Sequence, residues 1–503
     1  MMKGLMIWGT TSDAGKSYLV TGLCRALSNR GYKVAPFKGQ NMSNNSFVTG
    51  SGHEIGRAQG LQAEAARVEA TVHMNPILLK PRGDSTAEVI IHGESLGSPQ
   101  AMEYRQDFFG KAFSAVEESL SILEQSYDVV IMEGAGSPVE VNLMDKDIAN
   151  LVTASMTDVP ALLIADIEKG GLFASVIGTL DLLPHPHRNR VKGLIVNQFR
   201  GDRRLFKDGE RWLKKRTGLP VHGILPKLDI RMEGEDSLSF SAIEFSSVST
   251  EPSIDIAVIA LPYVSNYTDI EPFSAEPDVS VRIVRNSSEF GTPDAVILPG
   301  SRSTIHDYLY LLEKGLINKI ISFYELEKGY VVGVCGGFQM LGEELNDNEG
   351  RDSKKSGTVV KGASLFPIRT YFMDNKKTTQ WNGYFITEDS SRYPISGFEI
   401  HTGQTDCNNQ TACMPLFYDE YGNPEGLRSS DHRLIGTYIH HHFYNDTWRT
   451  YWLNQIRLSK NLKRRDSIPF KDSKNEQLDK LADTFETYLD LDEIIHVVER
   501  AKK

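Results

Sequence analysis

The sequence has few cysteines, no excess of basic charge and no long apolar run, and each shortage excludes a class of protein. Four cysteines in 503 residues do not make a disulfide framework, and Cys407 and Cys413 are too widely spaced for a Cys-x-x-Cys metal clip. A net charge of −11 gives no general attraction for nucleic acid. No segment approaches the roughly 18 apolar residues of a membrane span, and Leu5–Trp8 is too short for a signal peptide. We therefore expect a cytoplasmic protein that binds neither nucleic acid nor membrane.

Residues 1–235 alternate apolar strands with helical patterns. The predicted helices include Lys16–Arg30 and Ile55–Glu69, and the predicted strands are Leu5–Trp8, Lys33–Phe37, Val129–Glu133, Ala161–Ala165 and Gly193–Asn197. This alternation predicts a mostly parallel sheet that is covered by helices on both faces. The acidic, serine-rich residues 236–252 are the predicted linker to a second domain.

A second α/β series occupies residues 253–450. The polar stretch Asp347–Lys355 predicts a surface loop, and the predicted strands are Asp255–Ala260, Val281–Arg285, Ala295–Leu298 and Val331–Val334. From about Asp466 the chain is highly charged, and Glu476–Glu499 has a helical pattern. We therefore predict two α/β domains, followed by a charged helical tail over residues 451–503 that is docked or partly free.

A glycine loop lies between the first strand and the first helix. It reads Gly9-Thr10-Thr11-Ser12-Asp13-Ala14-Gly15-Lys16-Ser17. Backbone N–H groups in such a loop, together with the helix N-terminus, bind phosphate. The candidate ATP-binding residues are Thr10, Gly15, Lys16 and Ser17, in which Lys16 would reach the β- and γ-phosphates and Ser17 would ligate Mg²⁺. The loop is one residue longer than the strict pattern because Thr10 occupies the usual glycine position, so a turn that only closes a βα unit is the alternative.

An acidic residue follows at the end of the apolar strand Val129–Glu133. A carboxylate in that place can hold Mg²⁺ beside the γ-phosphate. Taken alone, Glu133 is equally well explained as an acid at a strand end. Lys16 and Ser17 upstream favour the Mg²⁺ role.

The segment Val331–Gly342 combines an apolar strand, a cysteine and a helix. Cys335 is followed by Gly336 and Gly337, which is typical of a nucleophile elbow, a sharp turn that exposes the nucleophile. The helix N-terminus favours the thiolate, and the N–H groups that follow can stabilise an oxyanion. A buried structural cysteine is the alternative, but it does not need the Gly-Gly pair.

A cysteine nucleophile needs a base, and residues 440–442 are three histidines at another strand end. Neighbours in an extended segment point to opposite faces, so the run does not favour a metal site, which stays the alternative. The junction Val296–Ser301 brings Gly300 to a third strand end, where its N–H can stabilise the same oxyanion as the N–H of Gly336.

These patterns resemble two known families. The loop variant Gly-Thr-x-Ser-x-x-Gly-Lys-Ser is similar to that of the dethiobiotin-synthetase-like P-loop enzymes, which activate carboxylates. The cysteine elbow resembles that of the class I glutamine amidotransferases. This resemblance implies that Cys335 is the nucleophile that forms a glutamyl thioester, that His440 is its base and that Gln339 helps to bind glutamine. Many relatives carry a glutamate two residues after the histidine, whereas this chain has His442, which points to a dyad subgroup among the corrinoid synthases.

Five longer motifs are similar to the same corrinoid-synthase subgroup over nearly the whole chain. They are residues 38–46, 54–59, 74–81, 299–304 and 397–403, the first of which reads Lys-Gly-Gln-Asn-Met-Ser-Asn-Asn-Ser. The resemblance implies that the enzyme uses ATP, Mg²⁺ and glutamine to amidate the b, d, e and g carboxylates of adenosylcobyrinic acid a,c-diamide through acyl phosphates.

Residues in or beside these motifs are candidates for the substrate site. The candidates for lining the phosphoryl-transfer site are Lys38, Asn41, Ser43 and Asn44. The candidates for holding substrate carboxylates are Arg57, Lys80 and Arg82, for which a solvated surface charge is the alternative.

Three other functions stand as alternatives. The sister enzyme that makes the a,c-diamide shares both domains but should lack the Gln40–Ser43 motif. A P-loop switch or partitioning ATPase usually carries a second lysine early in its loop, where this chain has Thr10 and Thr11. A regulatory protein with an inactive glutaminase fold is disfavoured by Cys335 and His440.

Overall fold

The structure is a computed structural model, and it describes residues 2–81, 87–97, 109–144, 147–227, 253–326, 329–407 and 413–500. The chain forms two compact units. The first comprises Met1–Ser43, His53–Glu235 and Lys474–Lys503, and the second comprises Asn44–Gly52 and Asp236–Ser473. Each unit therefore contains a segment from a distant part of the chain. The predicted linker at 236–252 and the candidate Arg82 lie outside the described residues.

A parallel sheet of six strands forms the centre of the first unit. In sheet order its strands are Val221–Pro226, Val191–Phe199, Ala161–Asp166, Gly4–Gly9, Val129–Glu133 and Val34–Phe37. Nearly every residue of the three strands nearest the middle is buried, as expected for a parallel sheet covered on both faces. The predicted parallel α/β fold is confirmed, and each predicted strand lies within two residues of the observed one.

Helices and a smaller sheet complete the first unit. The helices are Lys16–Asn29, Arg57–Ala65, Phe109–Ser126, Thr153–Thr157, Leu172–Leu182, His185–Arg190, Lys207–Thr217 and Leu491–Arg500. Short 3₁₀ or π turns are Ser12–Ala14, Val72–Met74, Ile148–Val152 and Arg203–Phe206. The smaller sheet contains Gln40–Met42, Ile77–Pro81, Ala87–Ile91 and Glu94–Ser95.

The predicted helix Ile55–Glu69 is wrong at both ends, since the observed helix is Arg57–Ala65. Glu54–Gly56 is a strand, and the helix begins at Arg57. Gly56 has an extended backbone, with φ −64° and ψ 139°, and it donates its N–H to Asn75 Oδ1 at 2.9 Å. This hydrogen bond stabilises the extended conformation of Gly56, so the helix begins only at Arg57.

The chain returns to the first unit at its C-terminal end. The helix Phe470–Tyr488 is followed by Leu491–Arg500. Leu481 and Phe485 are buried in the same apolar cluster as Leu19 and Leu23 of the first helix. These charged helices are thus docked through an apolar face, which places part of the predicted tail in the core of the first unit.

The second unit is built on an eleven-stranded sheet with a parallel half and a mostly antiparallel half, in which Glu344–Asp347 pairs with Ile368–Ile386 in parallel. The parallel half, in order, is Val279–Val284, Ile254–Ile259, Ala295–Leu298, Tyr330–Val334 and Leu434–Thr437. The sheet continues through Pro424–Arg428, Met414–Asp419, Ile368–Ile386, Glu344–Asp347 and Thr358–Lys361, and Arg392–Cys407 pairs with Ile368–Ile386. The four predicted strands are confirmed within two residues, whereas the antiparallel half was not predicted.

Shorter elements surround this sheet. The helices are Thr304–Glu313, Leu316–Glu325, Gly336–Met340 and Asp446–Ser459, with 3₁₀ turns at Tyr267–Ala275 and His442–Tyr444. The short strands are Ser46–Val48, Val264–Ser265 and Gly300–Ser301, the last two of which pair with each other.

The predicted surface loop Asp347–Lys355 has a buried anchor. Asp347 is fully buried and accepts N–H hydrogen bonds from residues 351, 352 and 353. The Asp352 carboxylate in turn accepts the N–H groups of Thr304 and Ile305 at 2.9 and 2.8 Å. The loop therefore caps a helix rather than only covering the surface.

In the part of the chain that the structure describes, every helix is too short or too polar to cross a membrane.

Candidate active sites

The glycine loop joins the first strand of the first unit to its first helix. Gly15 has φ +98°, a left-handed conformation that glycine adopts without strain, and the helix begins at the next residue. Lys16 Nζ donates to two carbonyl oxygens of the loop and to that of Gly136, at 2.8–3.1 Å. Thr10 is buried, and its N–H bonds to the carbonyl of Ile164. The Lys16 ammonium group is thus held at the loop, which is the arrangement that phosphate binding needs.

Glu133 is the centre of a buried polar cluster beside this loop. Its Oε1 accepts hydrogen bonds from Ser17 Oγ at 2.8 Å and from Lys38 Nζ at 2.9 Å. Its Oε2 accepts from Gln62 Nε2 at 2.6 Å. The hydroxyl of Ser17 and the carboxylate of Glu133 are hard oxygen donors in contact, and they fit Mg²⁺, which combines one or two carboxylates with water and phosphate oxygens. An ion at Oε1 would compete with the ammonium group of Lys38 for the same oxygen.

The remaining candidates of the phosphoryl-transfer site divide between the two units. Asn41 donates to Gln59 Oε1 at 3.0 Å, and the N–H of Ser43 donates to the carbonyl of Leu79 at 3.0 Å. Both lie in the first unit, whereas Asn44 begins the segment that belongs to the second.

The two described candidates for holding carboxylates are internal residues. Lys80 Nζ lies 2.5 Å from Glu54 Oε1, and both side chains are 1% exposed. Arg57 Nη1 lies 3.2 Å from Glu64 Oε1 and is 2% exposed. The alternative of a solvated surface charge is therefore wrong for Lys80 and Arg57.

Cys335 stands at a sharp turn between the strand Tyr330–Val334 and the helix Gly336–Met340. Its backbone has φ +51° and ψ −108°, a strained conformation for a residue with a side chain. Its N–H donates to the carbonyl of Thr437 at 2.8 Å, and its Sγ lies 3.8 Å from the carbonyl oxygen of Ile400. This is the nucleophile-elbow geometry that the sequence predicts.

Two glycines border the cysteine and the histidine. A Cβ atom at Gly336 would lie 2.8 Å from the backbone nitrogen of Ser301, and one at Gly300 would lie 3.0 Å from His440 Cε1. The loop at Gly300 therefore packs directly against the elbow. Gln339 is held in one orientation, since its amide donates to Tyr438 Oη at 3.1 Å and accepts from Thr304 Oγ1 at 3.0 Å.

His440 is completely buried and is fixed by an aspartate. Its Nδ1 lies 2.7 Å from Asp269 Oδ2, while the other carboxylate oxygen accepts the N–H of His441 at 2.7 Å. Burial opposes a charge on the ring, but Asp269 and the Cys335 thiol outweigh it and raise the pKa of His440 to about 10. Burial also opposes ionisation of Asp269, yet the histidine beside it holds the pKa of Asp269 below its usual range. The arrangement favours an imidazolium at His440, paired with the carboxylate of Asp269.

His442 has a different environment from His440. Its Nδ1 accepts the indole N–H of Trp448 at 3.0 Å, and burial lowers the pKa of His442 to about 4. His442 is therefore a neutral side chain of the core, and Asp269 rather than His442 orients His440. Among the described residues, no group of three or more His, Cys, Asp or Glu side chains could hold a metal ion.

Asp269 is the functional candidate that sequence reasoning missed. It lies 171 residues before His440, in the 3₁₀ turn Tyr267–Ala275, so no spacing rule connects the two. The signal in the sequence was an acidic residue among the apolar side chains of Tyr267, Ile270 and Phe273, all of which the structure shows to be buried.

Two family models match the chain. The CobQ/CobB/MinD/ParA nucleotide binding domain matches residues 5–237, and the CobB/CobQ-like glutamine amidotransferase domain matches residues 255–448. The first match contains the glycine loop and Glu133. The second contains Asp269, Cys335 and His440.

Curated relatives extend over both regions. A cobyric acid synthase of Geobacillus kaustophilus (strain HTA426) is 44% identical over 482 residues, which cover 95% of this chain and 94% of the relative. A cobyric acid synthase of Geobacillus sp. (strain WCH70) is 43% identical, with coverage of 97% and 96%. One of Synechococcus elongatus is also 43% identical, with coverage of 98% and 99%. Because this likeness spans both units and both sites, the chain belongs to the cobyric acid synthase family.

Proposed function

We propose that this chain uses ATP and glutamine to amidate the b, d, e and g carboxylates of adenosylcobyrinic acid a,c-diamide, which gives cobyric acid. One observation carries the proposal: a phosphate loop with an oxygen-ligand pair and a cysteine–histidine–aspartate arrangement occur in a single chain of this family. Amide formation needs both an activated carboxylate and ammonia, and each constellation can supply one of them.

The phosphate loop would supply the activated carboxylate. A carboxylate oxygen of the corrinoid attacks the γ-phosphorus of ATP, ADP leaves, and an acyl phosphate forms. Lys16 would neutralise charge on the transferred phosphoryl group. Ser17 and Glu133 would hold Mg²⁺, which would offset the negative charge of the phosphates during the transfer. Ammonia then attacks the acyl carbon, and inorganic phosphate leaves.

The cysteine site would supply the ammonia. The Cys335 thiolate attacks the side-chain amide carbon of glutamine, and the N–H groups at Gly300 and Gly336 would stabilise the oxyanion. His440 gives its proton to the departing ammonia, which leaves a thioester on Cys335. His440 then takes a proton from the water that hydrolyses the thioester, and glutamate leaves.

Asp269 would act through His440 rather than on the substrate. Its carboxylate accepts the Nδ1 hydrogen, so the other ring nitrogen, Nε2, is the one left to exchange a proton with the sulfur and the leaving group. The negative charge also stabilises the imidazolium that donates the proton.

The decisive experiment is incubation of the purified chain with adenosylcobyrinic acid a,c-diamide, ATP, Mg²⁺ and glutamine, followed by mass spectrometry of the corrinoid. We expect a product with four new amides. A parallel incubation with cobyrinic acid tests the sister reaction. Amidation of cobyrinic acid alone, with the a,c-diamide left unchanged, would reject the proposal in favour of that reaction.

A further inference from the structure

Asp307 is a buried acid of the second unit that the mechanism above does not use. It lies in the first turn of the helix Thr304–Glu313, and its side chain is completely buried. Its Oδ2 accepts the hydroxyl hydrogen of Ser301 at 2.6 Å. Its two oxygens lie 3.2 and 3.3 Å from the backbone nitrogen of Tyr263, which donates its N–H. A buried acid costs free energy unless such bonds are made, so its presence needs a reason beyond packing.

The two partners of this acid belong to two loops that also pair with each other. The short strands Val264–Ser265 and Gly300–Ser301 are antiparallel neighbours. Next to them, the N–H of Arg302 donates to the carbonyl of Tyr263 at 2.9 Å. One carboxylate therefore bonds to both loops at the place where they meet.

The loop that contains Ser301 forms one wall of the cysteine site. A Cβ atom at Gly336, the residue after the nucleophile, would lie 2.8 Å from the backbone nitrogen of Ser301, and one at Gly300 would lie 3.0 Å from His440 Cε1. The hydroxyl of Ser301 donates to the acid and also accepts the N–H of Ser303 at 3.0 Å. These contacts fix the loop between the elbow and the base, and the bond from the hydroxyl to the acid is one of them.

We propose that Asp307 is a positioning residue for the oxyanion site, because its carboxylate holds Tyr263 and Ser301 together and so aims the backbone N–H of the loop Gly300–Ser301 at the reacting oxygen. This role rests on the proposed function, since it assumes that Cys335 attacks the amide of glutamine. Asp307 itself exchanges no proton and touches no substrate. A donor must lie about 2.7–3.1 Å from the oxyanion to stabilise it, so a small displacement of the loop weakens the transition state.

The two bonds suit a charged carboxylate. Burial raises the pKa of Asp307 to about 7, and the hydrogen bonds from Ser301 and Tyr263 oppose this rise. Both partners are donors, so an amide at this position would turn its own NH₂ group towards one of them. Asp307→Asn therefore disrupts one of the two bonds at nearly unchanged volume. Asp352 caps the start of the same helix independently, so the helix should remain formed in the variant.

The test compares two reactions of Cys335 that differ in their need for an oxyanion site. Hydrolysis of glutamine passes through a tetrahedral oxyanion. Alkylation by iodoacetamide forms the S–C bond as iodide leaves a saturated carbon, and no oxyanion appears. Both are measured in the presence of Mg–ATP and the corrinoid, about one pH unit above the pKa of Asp307, so that its carboxylate is charged. Mass spectrometry of the Cys335 peptide gives the alkylation rate.

In Asp307→Asn we expect kcat for glutamine hydrolysis to fall by about 10–10²-fold, because the donor is displaced rather than removed. KM for glutamine and the rate of alkylation should stay close to those of the unchanged chain, since the lost interaction is made only in the transition state. Glu313→Gln, at an exposed acid of the same helix, is the control and should keep all three values.

Ser301→Ala is the second variant, because it removes the same bond and keeps the acid. It should lower kcat in the same direction, and the double variant should lose less than the product of the two single losses, because both changes remove one shared interaction.

The proposal is overturned if Asp307→Asn keeps the original kcat, or if only KM changes. It is also overturned if alkylation slows as much as hydrolysis, since the acid then supports the whole elbow and not the oxyanion site. Hydrolysis of glutamine without amidation of the corrinoid would reject the proposed function, and the comparison of hydrolysis with alkylation would still decide the role of Asp307.

Discussion

The carboxylate of Asp269 lies 2.7 Å from Nδ1 of His440. The acid comes from a 3₁₀ turn near the start of the second unit and not from the position two residues after the histidine, which His442 occupies. The chain therefore has an acid in contact with the histidine that we propose as the base, although the sequence resembles a subgroup in which only the cysteine and the histidine are expected.

Asp269→Asn should shift the pH dependence of glutamine hydrolysis. Asp269 raises the pKa of His440, so its removal lowers that pKa, and the imidazolium is then lost at a lower pH. We expect the alkaline limb of the rate profile to move to lower pH and the maximal rate to fall by about 10²–10⁴-fold. Ammonium-dependent amidation should persist. Asp472→Asn, at an exposed carboxylate, is the control, and an unaltered profile for Asp269→Asn would contradict the orienting role.

Cys335→Ser should separate the two half-reactions. A serine hydroxyl does not form the acyl-enzyme at a useful rate, so glutamine-dependent amidation should fall by about 10³-fold or more. With concentrated ammonium at mildly alkaline pH, where more ammonia is unprotonated, the same variant should still amidate the corrinoid. Mass spectrometry with each nitrogen source gives the comparison, and full activity with glutamine would show that Cys335 is not the nucleophile.

His440→Ala and His442→Ala should differ in what they damage. His440→Ala should abolish glutamine hydrolysis, since the proton donor to ammonia is lost. His442→Ala removes the acceptor of the Trp448 N–H and should lower the free energy of unfolding by about 1–3 kcal/mol, with a far smaller effect on hydrolysis. Urea unfolding and glutaminase assays of both variants give the comparison. The reverse ranking in the assay would overturn the assignment of His440.

Lys16→Ala should abolish amidation with either nitrogen source. In the proposed mechanism the lysine stabilises the transferred phosphoryl group, and that step precedes the attack of ammonia from any source. Lys214→Ala, at an exposed lysine of the same unit, is the control and should leave the rate unchanged. Near-normal amidation by Lys16→Ala at saturating ATP would contradict the assignment of the phosphate loop.

Phe485→Ala should destabilise the first unit. Phe485 is completely buried; its ring centroid lies 5.8 Å from that of Tyr18, and a Cβ atom at Gly22 would lie 2.3 Å from the ring. Truncation of such a phenylalanine typically costs about 3–5 kcal/mol. Tyr421→Ala, at a side chain that is 89% exposed, is the control for urea unfolding. Equal unfolding midpoints for the two variants would show that the C-terminal helices are not docked in solution.

The parallel sheets and the elbow at Cys335 were predictable because their signals are local. A buried parallel strand is an unbroken apolar run, and a glycine loop or elbow follows it directly. The long strands Ile368–Ile386 and Arg392–Cys407 were missed for the same reason: only part of each is buried, so neither shows an unbroken run or a strict alternation over its length.

Contacts between distant residues were not predictable from one sequence. No sequence pattern near Asp269 indicates that it contacts His440. Lys80 is compatible with a surface charge in the sequence, and only the structure shows that it is buried against Glu54. For the C-terminal helices the sequence left open whether they are docked or partly free, and the structure shows them docked through the apolar side chains of Leu481 and Phe485. In each case the decisive partner lies far away in the chain, where propensity and spacing carry no information.

The exchange of segments between the units determines how this polypeptide can be divided. A cut between residues 235 and 253 would give an N-terminal fragment without residues 474–503, whose Phe485 belongs to its core. The C-terminal fragment would lack residues 44–52, whose Val48 packs on Phe398. Neither fragment is a self-contained module, so simple excision at the boundary of the two halves should give poorly folded products. To combine the glutaminase unit with another synthetase, the transplanted piece would also have to include residues 44–52, which contain the strand Ser46–Val48.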